Sequence, residues 1–149
     1  MLARIAAGGY GDNGWPAVLG LLVLMAGPAM GQARPGAREL VERPETLIGQ
    51  PVQLARMRCY DPGAGDLVCQ QRVGNRLLRV TGDFDPFGPV AVIQALVAQC
   101  RDATSLGNPA CDMVVAGTVE SAAATREAAP PGMVDVTAVR LGGMRIRRP

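Results

Sequence analysis

From Leu47 onward the chain carries short runs rich in branched apolar residues, separated by turn residues, which is the signature of strands. The first predicted strand covers Val52 to Cys59. The segment Tyr60-Asp61-Pro62-Gly63-Ala64-Gly65 then reverses the chain. A second strand runs from Leu67 to Val73 and a third from Leu77 to Thr81, joined by Gly74 and Asn75, which suit a tight hairpin turn. These three form a meander. After the Pro- and Gly-bearing stretch Asp83 to Pro89, Ile93, Leu96, Val97 and Cys100 fall at i, i+3, i+4 and i+7, and Pro89 suits a first helical turn. A helix is therefore predicted over Val90 to Arg101. Leu106 to Pro109 interrupts the chain before a fourth strand, Met113 to Glu120, in which Gly117 signals a bulge or bend. Ala-rich Ser121 to Gly132, with Pro130 and Pro131, reads as a long exposed loop. Met133 to Leu141 reads as a fifth strand, with Val134, Val136 and Ala138 alternating against Asp135 and Thr137.

The first thirty-three residues follow a different rule. Arg4 is followed by an apolar run from Val18 to Ala26 and then by small residues up to Ala33, the three-part layout of a secretory signal peptide. The run is about 9 residues, short of the roughly 20 that cross a membrane as a helix, so no permanent anchor is expected. Cleavage is expected after Ala33 and export to the periplasm or medium follows. The expected organisation is a signal over 1–33, a lead-in over 34–46 with a short helical tendency near Arg38 to Arg43, one domain over 47–141, and a basic tail over 142–149 carrying Arg145, Arg147 and Arg148. About 116 residues remain after cleavage, enough for one modest core.

Composition narrows the chemistry. There is no histidine, so the usual general base and every histidine-containing triad are missing. Beyond residue 33 the serines are Ser105 and Ser121, with no Lys or His near either to activate it. No catalysis and no cofactor are expected. All fifteen Lys+Arg positions are Arg, a bias that GC-rich coding produces unaided, and the net charge is only +2. Nucleic acid is not an expected partner. Asp83 and Asp85 form an Asp-x-Asp pair, which reads as turn initiation and helix capping rather than as a calcium site. Phe84 and Phe87, the two phenylalanines, are expected in the core. Cys59, Cys69, Cys100 and Cys111 are an even set in an exported chain and read as two disulfides. A four-thiolate zinc site would need closer Cys pairs than these, and no metal is expected.

Three meandering strands, one helix and two further strands resemble the element order of the OB-fold, a five-stranded Greek-key barrel with one helix between strands 3 and 4. The fold class expected is thus mainly β. In that order Cys59 and Cys69 share the first hairpin, while Cys100 ends the helix and Cys111 precedes the fourth strand. Of three connectivities, the resemblance implies Cys59–Cys69 and Cys100–Cys111. It also implies a binding surface on the second and third strands and on Tyr60 to Asp66 and Ser121 to Gly132. Arg56, Arg58, Arg72, Arg76 and Arg79 lie on the first three strands, and Tyr60 is the aromatic placed to stack. Arg56, Arg72 and Arg79 with Tyr60 are the expected contact residues for an acidic peptide, a glycan or an envelope protein. A binding module is the first expectation. A structural or stress-related envelope protein is the second, and an enzyme using Asp61 and Asp66 with a metal the third.

Overall fold

Alternation decides which side chains reach the centre. In the computed structural model, which describes residues 33–63, 66–84 and 90–149, strand β1 (Pro51–Tyr60) buries Val52, Leu54, Met57 and Cys59, half-buries Arg58 and Tyr60 and leaves its other side chains exposed. The spacing slips once, where Ala55 and Arg56 are both exposed and the register with β4 shifts between Leu54 and Met57. β2 (Asp66–Val73) and β3 (Arg76–Phe84) form a tight antiparallel hairpin through Gly74, whose φ of 58° lies in the left-handed region glycine enters freely. Helix α2 (Val90–Gln99) follows, burying Leu96, and two short 3-10 turns lead into β4 (Asp112–Ala129) and β5 (Gly132–Arg147).

The five strands close in a ring in the order β1-β2-β3-β5-β4 and back to β1. All neighbours are antiparallel except β3 and β5, which run parallel with Leu78 opposite Thr137 and Val80 opposite Val139. The inward positions of every strand meet in one core, with Leu54, Met57, Leu67, Leu78, Val80, Met113, Val115, Leu141 and Met144 fully or almost fully removed from solvent. Two glycines permit the close passage this needs. A Cβ at Gly82 would strike the Leu141 carbonyl oxygen, and one at Gly117 would stand 3.0 Å from that of Gly142. Gly117 also marks a register shift between β4 and β5, as its place inside a strand led us to expect.

Three boundaries differ from expectation. The stretch Ser121 to Gly132 is not a long loop. β4 continues through Ala129 and pairs residue by residue with β5, from Ser121 opposite Arg140 to Ala129 opposite Gly132, so the turn shrinks to the cis-linked Pro130-Pro131. Residues 142–147 are not a tail, because β5 runs to Arg147 and buries Met144 and Ile146. Nor is 34–46 merely a lead-in. It holds a second α-helix, α1 (Ala37–Glu42), and a 3-10 turn (Pro44–Leu47), which bury Leu40, Val41 and Leu47 in the same core. Glu39 accepts the Gly36 N–H at 3.0 Å, closing the start of α1. The expected signal peptide of residues 1–33 lies outside the described residues apart from Ala33, as do Asp85, Phe87 and the side chain of Phe84.

Both expected disulfides form. Cys59–Cys69 bridges directly opposed residues of β1 and β2, and Cys100–Cys111 ties the end of α2 to the turn before β4. All four cysteines are fully buried, which commits them to structure.

Candidate functional site

The ring separates the residues the sequence groups together. Arg79 is half-buried on the outer side of β3, and its Nη1 donates to Glu127 Oε1 at 2.7 Å across β5. That guanidinium is already neutralised within the fold. Tyr60, opposite Val68, packs against the core with its ring half-buried instead of standing out as a platform. Arg72 is exposed on β2, opposite Leu77. Arg56 is exposed at the β1 bulge, with φ at 56°, between the pairs Leu54 opposite Val115 and Met57 opposite Met113. The β1–β2 pairing stops at Arg58 opposite Gln70, and Arg56 lies between the two β1–β4 pairs that flank the level of Val114.

The other cations on these strands serve the structure. Arg58 Nε donates to Asp112 Oδ1 at 2.9 Å, and Arg76 Nη1 donates to the Val41 carbonyl at 3.0 Å, pinning α1 to β3. Of the carboxylate pair considered for catalysis, Asp61 Oδ1 accepts the Gly63 N–H in its own turn. Among the described residues no three His, Cys, Asp or Glu side chains gather where a metal could be held.

The outer face of β1, β4 and the last part of β5 has a different character. Its outward positions form cross-strand rows, with Gln53 opposite Ala116 and Ala116 opposite Arg145, and with Val114 opposite Arg147. Two adjoining grooves cross these rows. One, of about 240 Å³, runs along Arg34, Pro51, Thr118 and Arg145, and the other, of about 280 Å³, along Gln53, Val114, Ile146 and Arg147. They share Ala116 and Arg145, so they adjoin. Three arginines line them and no acidic residue does. The floor is small and apolar, from Val114, Ala116, Gly117 and Gly142, which lets an extended chain lie close to the sheet.

A larger cleft of about 650 Å³ lies between α1 and the β2–β3 turn, lined by Arg38, Glu42, Asn75 and Arg76 among others. Its charges are mutually satisfied. Arg38 Nε donates to Glu42 at 2.8 Å, a contact that raises the guanidinium above its ordinary pKa, and Arg76 is held by Val41. Cleft size and chemistry therefore disagree, and the chemistry favours the smaller, arginine-lined grooves.

None of the expected contact residues lines these grooves, whereas Arg145 and Arg147, which do, read as tail and Arg34 as lead-in. A signal for the two tail residues does exist. Met144-Arg145-Ile146-Arg147 alternates with period two, the pattern of a half-buried strand.

No family model matches the sequence, and no curated protein matches it. Among solved structures, one from Leishmania major Friedlin, assigned as an aspartyl-tRNA synthetase, aligns at a TM-score of 0.41 with 11% identity, covering 82% of this chain and 22% of that chain.

Proposed function

We propose that this chain is an exported, non-catalytic binding module of the OB type whose β1–β4–β5 outer face holds an acidic, extended segment of an envelope protein. One observation carries the reading: two adjoining grooves on that face are lined by Arg34, Arg145 and Arg147, while the floor is small and apolar. A row of cations attracts a negative segment and sets its register, and the low floor gives it van der Waals contact. The OB-type reading is supported by the ring order, by the parallel β3–β5 pair and by the helix between β3 and β4. Export is supported by the two buried disulfides, which persist in oxidising compartments, and by the three-part pattern of residues 1–33.

The site differs from the second-and-third-strand surface that the resemblance implies. Arg79 is bound to Glu127 and Tyr60 packs against the core, and neither Arg56 nor Arg72 lines the proposed grooves.

Fluorescence anisotropy with a labelled oligoglutamate peptide tests the reading. Binding should weaken steeply between low and physiological salt, and the Arg145→Glu/Arg147→Glu variant should lose about tenfold or more in affinity while keeping both disulfides. An affinity unchanged by that double reversal contradicts the assignment of the face. A sulfated oligosaccharide run in parallel distinguishes a glycan ligand from a peptide one.

A further inference from the structure

The inner face of the ring changes character toward the β4–β5 turn. Val139 and Leu141 of β5 belong to the core, and the same alternation carries Thr137 and then Asp135 onto that inner face. Thr137 stands opposite Leu78 of β3 and Ala124 of β4, while Asp135 stands opposite Arg76 and Arg126. A layer of Leu78, Thr137 and Ala124 is therefore followed by a charged rim of Arg76, Asp135 and Arg126. Thr137 is the one polar or charged side chain buried among the described residues, at 1% exposure, and its hydroxyl forms no hydrogen bond to any of them. Buried polar groups in folded chains have partners in the great majority of cases, so a hydroxyl without one in its own chain points to a partner from outside it.

A cavity of about 370 Å³ lies against this hydroxyl, lined by Thr137, Ala124 and all three charged rim residues among others. That volume is at the small end of the range for small-molecule sites. Its charges select the ligand. Arg76 Nη1 donates to the Val41 carbonyl at 3.0 Å and Arg126 Nε to Asp135 Oδ1 at 3.0 Å, which leaves most of the N–H donors of both guanidinium groups unused. Two guanidinium groups against one carboxylate make an excess of one positive charge, which suits a monoanion, and Asp135 opposes a second negative charge on the ligand. A carboxylate also matches the planar fork of arginine donors. We propose that this cavity binds a small monocarboxylate, its head held by Arg76, Arg126 and the Thr137 hydroxyl and its short apolar body lying along Ala124. The site shares no lining residue with the arginine-lined grooves of the outer face and stands independently of the function proposed for them. So small a ligand has few atoms to bind with, and its Kd should lie in the millimolar range.

Titration of the purified 15N-labelled chain with butyrate, with 1-butanol as its neutral counterpart and with inorganic phosphate tests this. Butyrate should shift the amides of Ala124, Arg126, Asp135 and Thr137 and saturate, while butanol and phosphate at equal concentration should leave them in place. Arg126→Gln alters a side chain that is 72% exposed and should weaken butyrate binding at least about fivefold. Asp135→Asn removes the opposing charge and should strengthen it. Thr137→Val keeps the shape, removes the hydroxyl and should weaken binding about threefold or more. If Thr137→Val fails to fold, the opposite signs expected of Arg126→Gln and Asp135→Asn still decide the matter. No saturable shift overturns the proposal and leaves the hydroxyl to a buried water. Equal responses to butyrate and butanol, an affinity indifferent to both charge changes, or shifts confined to Arg145 and Arg147 overturn it as well.

Discussion

Arg56 occupies a backbone conformation that costs an L-residue about 1 to 2 kcal/mol and that glycine adopts freely. Its exposed side chain at the β1 bulge shows no packing that would offset the cost. Arg56→Gly should therefore leave the urea midpoint unchanged or raise stability by up to about 1 kcal/mol, whereas Arg56→Val should lower it by at least that amount. Equal stability of the two variants would mean that the bulge relaxes. Asp102 behaves as a local acid-sensitive clip. The Thr104 hydroxyl and N–H both donate to its carboxylate and hold its pKa below the ordinary aspartate value. A pKa depressed in the folded chain contributes stability above the unfolded value, and that contribution is lost as pH falls through the folded value. A carbon-detected NMR titration should place the Asp102 midpoint below that of a model peptide, and Thr104→Ala should return it toward the ordinary range. Among the ion pairs, Arg79–Glu127 is the most enclosed of those described here, with side chains 30% and 39% exposed. In a double-mutant cycle it should still couple by only about 0.5 to 1 kcal/mol, because solvent screens it.

At the scale of elements, α1 behaves as part of the core. Leu40 is fully buried within it, so Leu40→Ala should cost about 2 to 4 kcal/mol in urea denaturation, and a surface-like loss below about 0.5 kcal/mol would return 34–46 to a dispensable lead-in. The strands that were legible in the sequence are those built from branched apolar residues, such as Val52 to Cys59 and Leu67 to Val73, where burial and β propensity agree. The second half of β4 was not legible. Ser-Ala-Ala-Ala-Thr-Arg-Glu-Ala-Ala carries no branched apolar residue, and it is extended because Val134, Val136 and Val139 of β5 pair along it, an effect of tertiary context. The end of β5 was hidden for another reason. Gly142 and Gly143, with φ at 58° in Gly143, read as a terminator where they act as a bend. That misreading removed Arg145 and Arg147 from consideration. The surroundings of the expected contact residues were hidden for the opposite reason: strand membership of Arg79 and Tyr60 was legible, but Glu127 sits on a different strand, 48 residues away, and no local pattern announces its contact.

Across the whole molecule, each disulfide closes a short loop, the paired cysteines lying 10 and 11 positions apart in sequence. Loops of this size contribute about 2 to 3 kcal/mol each in a chain-entropy account. Cys59→Ala/Cys69→Ala and Cys100→Ala/Cys111→Ala should each lower unfolding free energy by about that much, and the two losses should add if the hairpin and helix clasps are independent. Strong non-additivity would show that β1 and α2, linked also by the Asp61 N–H to the Cys100 carbonyl at 2.8 Å, yield together. The central claim is that the ring presents its β1–β4–β5 outer face to an acidic partner. A 15N-resolved NMR titration with unlabelled oligoglutamate tests this most directly, because it reads every face at once. Shifts should concentrate on Gln53, Val114, Ala116, Arg145 and Arg147 and saturate together. Shifts centred on Arg72 and the β2–β3 hairpin, or none above background, would contradict it.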